Sequence, residues 1–393
     1  MSTRGGRKKD RKTALLHAGR EYCEHGFVNP PVQRGSTVLA PALADYESGR
    51  MPYTYGVHGT PTSRALETAI ARLEGGHGCR LAPSGLAAIT AVLLAFTKGG
   101  DHILLSDSLY GPTSRAALRV LGRFGVETEF FDPRATAEEL DALLRENTSL
   151  LFLESPGSHT MEVQDVPALA AVAKKHGVVT VIDNTWSAGW FFDAFAAGCD
   201  ISIQAATKYH VGHSDVLIGA VTYTREMEDA FLDTYRDLGL CTSPDDAWLT
   251  LRGMRTLEVR LTRHEENALK VAAWLKARPE VEEVYYPALP GAPGHELWKR
   301  DFTGASGLFS FALKPVSEKA LADFVDNLEL FGIGASWGGF ESLILRSHIR
   351  ENRRVTKWPH EGPTLRLHIG LEDAGDLIAD LDAGFERLVA AGA

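Results

Sequence analysis

The sequence holds four cysteines among 393 residues, and Cys23, Cys79, Cys199 and Cys241 are too scattered to form a C-x-x-C pair. That argues against a zinc site or a disulfide framework and fits free thiols in a reducing compartment, so a cytoplasmic location is expected. Long apolar runs are also missing: none is long enough to span a bilayer, and the N-terminus lacks the apolar core of a signal peptide. Positive charge is in short supply, since 41 Lys and Arg against 51 Asp and Glu leave a formal −10. A body of that charge is not expected to hold nucleic acid. There is no P-loop, no G-x-S-x-G elbow and no internal repeat. "GIGASWGG" lacks the G-x-G-x-x-G spacing of a dinucleotide loop, and His210 and His213 have no third ligand nearby, so no metal is expected.

What remains is an ordinary globular composition, 44% hydrophobic and 23% charged, in a chain long enough for two domains. The opening "MSTRGGRKKDRK" carries six basic side chains and reads as a solvated tail. An irregular, Pro- and Gly-rich stretch follows and reads as an extended arm. From Arg64 onward the text alternates. "SRALETAIARLEG" has helical spacing, with Ser63 as N-cap and Gly75 as stop. "DHILLSD", "SLLFLESP", "VVTVIDNTW", "DISIQAATK" and "VLIGAVTYT" read as buried strands, with helices such as "VPALAAVAKKHG" between several of them. This pattern predicts an α/β fold with a mostly parallel sheet and helices on both faces. "DDAWLTLRGMRTLEVRLTRHEENALKVAAWLKA" reads as a long helix broken near Gly253. "SGLFSFAL", "TLRLHIGLED" and the helix "DLIADLDAGFERLVAA" then suggest a smaller α+β domain. The division expected is 1–60 for tail and arm, 61–250 for the ligand-binding domain and 251–393 for the C-terminal domain.

Lys208, in "SIQAATKYHVGH", stands at the end of an apolar strand, where a solvated lysine is out of place. Desolvation and nearby cations depress an amine's pKa and make it nucleophilic, as a Schiff base with a carbonyl compound requires. Asp183 ends another apolar run and can either pair with a protonated pyridine nitrogen or cap a helix. Ser84-Gly85-Leu86 opens an apolar helix, either as an anion site built on bare amides or as a simple capping turn. Thr207 can add a hydroxyl to such an anion. Tyr110 is either a ring that stacks on a planar ligand or a loop tyrosine. Arg366 is either a clamp for a carboxylate or half of a structural ion pair.

Taken together, "IQAATKYHVGHSD", "VIDNTW", "YTYGVHGTPT" and "ASWGGFESLI" closely resemble the Cys/Met-metabolism family of fold-type I pyridoxal-phosphate (PLP) enzymes. The resemblance covers the chain from about His17 to its end. It implies the PLP-dependent transferase fold, with a seven-stranded sheet, and PLP on Lys208 with Asp183 at the pyridine nitrogen. It also implies that Tyr110 stacks, that Gly85, Leu86 and Thr207 hold phosphate, and that Arg366 and Ser336 hold the substrate carboxylate. Homotetramers of tight dimers are implied too, with Tyr55 reaching into a neighbour's site to assist proton transfer. Trp337 stands where members acting at the γ carbon usually have leucine, so the expected reaction is β-elimination from L-cystathionine, giving homocysteine, pyruvate and ammonia. The alternative is γ-elimination or γ-replacement on a specialised amino acid. Two departures stand out: Val57, followed by His58, replaces an arginine common in the arm, and Ala205 replaces a serine three places before the lysine. Both predict weaker cofactor binding.

Overall fold

The structure is a computed structural model that describes residues 10–392. Seven strands form the larger sheet: β1 (Gly78–Ala82), β2 (His102–Ser106), β3 (Glu127–Phe131), β4 (Thr148–Glu154), β5 (Val179–Asp183), β6 (Ile201–Gln204) and β7 (Gly219–Tyr223). Their spatial order is β1-β7-β6-β5-β4-β2-β3, and only β7 runs antiparallel to its neighbours. The period of two along each strand explains why both faces are covered. In β4, Leu151 and Leu153 join one apolar core while Leu150 and Phe152 join the other, and all four are fully buried. Helices Gly85–Ala95 and Val166–Lys175 are among those that supply these cores. Each fully buried large apolar side chain contributes about 2 kcal/mol.

A second sheet, of β8 (Val281–Tyr285), β9 (Leu308–Leu313), β10 (Gly332–Ile333), β11 (Leu343–Ser347) and β12 (Thr364–His368), has the order β10-β11-β12-β9-β8. It is antiparallel apart from the β10–β11 pair. Helices Pro244–Met254 and Leu257–Lys276 lie between the two sheets in the chain, with the break just past Gly253. The expected division after residue 250 falls inside the first of these helices. The helix Ala374–Gly392 closes the chain, its Phe385 ring 4.8 Å from Phe324.

Two local expectations change. The helix after the arm is Pro61–Glu74, and its N-cap is Thr60; Ser63 is the third helical residue and closes a capping box with Thr60. Pro61 is well placed in the first turn, where its missing N–H costs nothing, so the helix starts earlier than the apolar spacing indicates. Nor are all six basic residues of the N-terminus solvated. Arg11, in helix Arg11–Leu16, donates to the carbonyls of Trp190, Leu73 and Gly189. Residues 1–9 lie outside the described residues.

The helix Pro61–Glu74 also helps to place the strand ends. Its last residue, Glu74, is buried, and its Oε1 accepts from Ser202 Oγ at 2.6 Å, Gln204 Nε2 at 2.8 Å and Asn184 Nδ2 at 3.4 Å. One carboxylate thus gathers the ends of β5 and β6. Replacing Glu74 by Ala leaves these buried donors unpaired and is expected to cost about 3 kcal/mol. Denaturant unfolding checks this, and an unchanged midpoint would mean that the donors find other partners.

Candidate active site

The C-terminal ends of β2, β4, β5 and β6 open on one cavity of about 340 Å³, where ligands of open α/β sheets sit. Lys208, Asp183, Tyr110, Gly85, Leu86 and Thr207 line it from the larger sheet. From the C-terminal part come Ser336, Trp337 and Arg366. Residues as far apart in sequence as Gly85 and Arg366 therefore line one cavity. Tyr55 does not join them. It is half exposed, pairs with Thr37 in an isolated bridge and lies in a separate hollow with His58, so within one chain it is away from Lys208.

Lys208 sits in a tight turn after β6, closed by Lys208 N–H to Ala205 O at 3.0 Å and Gly212 N–H to Lys208 O at 2.8 Å. Its Nζ donates to Ser336 Oγ at 2.5 Å and lies 5.3 Å from the centre of the Trp337 ring. Burial and the nearby Arg366 guanidinium pull its pKa down to about 8, against the opposing pull of Asp183. The amine is therefore neutral in about a tenth of molecules at pH 7, a far larger share than an ordinary lysine offers as nucleophile or general base.

Asp183, the last residue of β5, caps no helix. Its Oδ1 accepts from Thr185 N at 3.1 Å and from Thr185 Oγ1 at 2.5 Å, and Thr185 Oγ1 accepts from Ala205 N at 2.9 Å. This chain of bonds joins the aspartate to the lysine turn. Burial raises the Asp183 pKa, while Thr185 and Lys208 hold it back. Opposite Asp183 in the β4–β5 register is Glu154, a cavity residue that sequence reasoning missed. Its Oε2 accepts from Tyr110 N at 2.6 Å and its Oε1 from Ser158 Oγ at 2.5 Å. Burial, and then Asp183 itself, push the Glu154 carboxyl well up. Of the two, Glu154 keeps a proton more readily, because Asp183 has Lys208 for a counter-charge. The signal was available: Glu154, like Asp183, is a carboxylate ending an apolar run.

An anion cradle lies at the start of helix Gly85–Ala95. Ser84 caps it, its side chain accepting from Ala87 N at 3.1 Å and its carbonyl from Ala88 N at 3.0 Å. The amides of Gly85 and Leu86 are left at the cavity, at the positive end of a helix. A Cβ on Gly85 would lie 2.7 Å from Ala205 Cβ, so only glycine lets the lysine turn pack so closely. Thr207 is also here, but its hydroxyl donates to Ile218 O at 3.1 Å and accepts from Ile218 N at 2.8 Å. Its proton is already in use, so toward a phosphate it has lone-pair capacity but no free donor.

Arg366 is buried on β12, donates to Ser336 O at 3.0 Å and, among the described residues, has no ion-pair carboxylate. Burial pushes its pKa down to about 10. The structural ion pair is therefore not found, and a fork without an anion faces the cavity. His159 lines the same space. Burial, Arg366 and His348 bring its pKa to about 4, so it is neutral, and its Nδ1 lies 2.8 Å from Ser347 Oγ.

The set fits PLP: an amine for the aldehyde, a carboxylate held under the lysine turn, and free amides at a helix start. In the cofactor-free protein, an amine-directed reagent is expected to label Lys208 with a pH midpoint near 8. Arg366→Met should move that midpoint upward, since removing a neighbouring cation stabilises the ammonium. A midpoint that stayed put would separate the two cations electrically.

A family model described as Cys/Met metabolism PLP-dependent enzyme matches residues 12–386. The chain is 49% identical over 378 residues to a putative cystathionine β-lyase of Rhizobium johnstonii, covering 95% of each. It is 46% identical over 389 residues to the cystathionine β-lyase MetC of Escherichia coli, covering 96% of this chain and 98% of that one. Among solved structures, a cystathionine γ-synthase of Xanthomonas oryzae in complex with aminoacrylate and cysteine superposes with a TM-score of 0.91 at 34% identity, over 98% and 100% of the two chains. With the sheet, the lysine turn and these likenesses in agreement, this chain belongs to the Cys/Met-metabolism family of PLP-dependent enzymes.

Proposed function

We propose that the protein is a carbon–sulfur β-lyase that cleaves L-cystathionine to homocysteine, pyruvate and ammonia. The observation that carries this reading is the pairing of a poised amine with an unpaired guanidinium in one cavity. Lys208 Nζ is held by Ser336 Oγ, and Arg366, holding the carbonyl of that same serine, has no ion-pair carboxylate among the described residues. Arg366 clamps the substrate carboxylate bidentately, which places the amino acid's Cα beside Lys208. Lys208 takes the Cα proton as general base, its lowered pKa suiting it to neutral pH. Bound PLP supplies the electron sink for the charge left at Cα. Asp183 would hold a proton at the pyridine nitrogen, the Tyr110 ring would stack on the cofactor, and the amides of Gly85 and Leu86 would take the phosphate. Trp337 fills the space beside Lys208 and favours departure of a thiolate from Cβ. The likeness to two β-lyases supports this choice over elimination at the γ carbon.

The arm belongs to the assembly in this reading. Tyr55, half exposed and remote from its own chain's cavity, completes the site of a neighbouring copy within a homotetramer built from tight dimers. Exposed Phe27, Val28, Leu39 and Leu43 are then covered in that assembly. All four cysteines are unpaired among the described residues, which fits a cytoplasmic protein. No helix among the described residues is long and apolar enough to cross a membrane.

The keto acid released from L-cystathionine by the PLP-loaded enzyme tests the reaction. Pyruvate is expected, with Lys208→Ala losing turnover; 2-oxobutyrate would move the activity to the γ carbon. For the arm, light scattering should give the mass of four chains and Val57→Arg should tighten PLP binding. A monomer, or an unchanged PLP Kd in that variant, would take residue 57 out of any neighbour's site.

A further inference from the structure

The turn that carries Ser336 is held in an unfavourable shape. Ser336 has φ +79°, a left-handed conformation that a residue with a Cβ rarely keeps without outside support. Gly338 follows at φ +87°, and a Cβ there would lie 3.0 Å from the Lys208 Cα and carbonyl carbon. The turn therefore rests directly on the lysine backbone, and a small shift in it would carry Ser336 Oγ away from Lys208 Nζ. Something must hold the turn in place.

Two side chains of β12 do so. Arg366 and His368 are two residues apart and so share one face of the strand. Arg366 donates to Ser336 O at 3.0 Å, and His368 Nε2 lies 3.1 Å from Gly338 N. Gly339 O is at the same 3.1 Å from Nε2, but the buried Gly338 amide can only donate, so satisfying it requires the bare Nε2 lone pair. The imidazole is suited to that tautomer. Burial, then His264, Arg366 and Lys208, keep its pKa well below the usual range although the nearby Gly339 carbonyl favours the charged form, so the ring stays neutral. Packing holds the ring's orientation: His264 is 5.2 Å away, itself anchored through Nδ1 to Ile369 O at 2.7 Å, and Tyr209 is 5.9 Å away. Tyr209 also packs at 5.5 Å against Trp337. A buried histidine whose Nδ1 has no partner is a costly way to fill a core, which makes the single acceptor bond its distinguishing feature.

We propose that His368 is a positioning residue for substrate binding, fixing the Ser336–Trp337–Gly338 turn over Lys208 by accepting the Gly338 amide through Nε2. The inference rests on the reading of Arg366 and Ser336 as the substrate-carboxylate site, and nothing in it requires His368 to touch substrate or cofactor.

The test compares His368→Phe, which keeps a ring without the acceptor, His368→Asn, which is too short to reach Gly338, and His368→Gln, which returns an acceptor near the Nε2 position. Steady-state kinetics on L-cystathionine are measured with the PLP-loaded enzymes, and the PLP Kd is read from the cofactor's visible absorbance. Phe and Asn are expected to raise KM at least about fivefold, with PLP Kd within about twofold of the parent and Gln restoring most of the loss. KM within about twofold of the parent for both Phe and Asn would overturn the proposal, as would a Gln variant no better than Asn. If the Phe variant fails to fold, the Asn and Gln pair decides alone. Arg366→Lys in the same series separates the two readings. A raised KM there with unaffected His368 variants removes only the role of His368, whereas an unchanged KM removes the carboxylate site and the role of His368 with it.

Discussion

The Arg366 guanidinium, buried with no carboxylate at ion-pair distance among the described residues, is the constraint on which the rest of the site depends. A buried charge without a partner costs several kcal/mol and persists only where hydrogen bonds and a later-arriving anion offset that cost. Here Ser336 O accepts a hydrogen bond from it, which draws the turn of Ser336 over the lysine. The same positive charge acts on Lys208, favouring its neutral form. A single buried cation thus holds the turn over the lysine and favours the neutral amine beside it.

On the opposite side of the cavity the charge has the other sign. Parallel pairing puts Glu154 and Asp183 side by side at the ends of β4 and β5, where two ionised carboxylates would repel. The protein resolves this by unequal surroundings. Asp183 has Thr185 and, further off, Lys208, while Glu154 has the Tyr110 amide and Ser158 and, among the described residues, no ion-pair cation. The negative charge is thereby concentrated on the residue that the lysine turn reaches through Thr185 and Ala205. Glu154 serves to fix the start of the loop-to-helix turn on which Tyr110 is mounted.

The strands legible in the sequence are those buried on both faces, because full burial leaves an uninterrupted apolar run. Those that escaped notice are mostly at the edges. β1 contains Arg80, β3 is "ETEFF" and β8 is "VEEVY", and each lies at the border of its sheet, where charge protects unpaired backbone from other chains. β10 is only two residues long, and β11 is half exposed. Glu154 was hidden for a different reason: its importance comes from its register against Asp183, which no spacing along the chain records. The same holds for His368: its place two residues from Arg366 on a strand was legible, but its approach to the Gly338 amide, 3.1 Å from Nε2, was not.

The sequence by itself determined the α/β fold class and placed Lys208 and Asp183 at strand ends and Ser84 at a helix start, since each is a local pattern of apolar run, turn residue and polar end. Only the tertiary structure decided which charges meet. It left Arg366 without a carboxylate among the described residues, committed the Thr207 proton to Ile218, kept Tyr55 away from its own chain's cavity and set Glu154 against Asp183. These depend on register and on contacts between residues far apart in the chain, and burial then turns such contacts into pKa shifts. Spacing along a sequence carries neither the distance nor the desolvation.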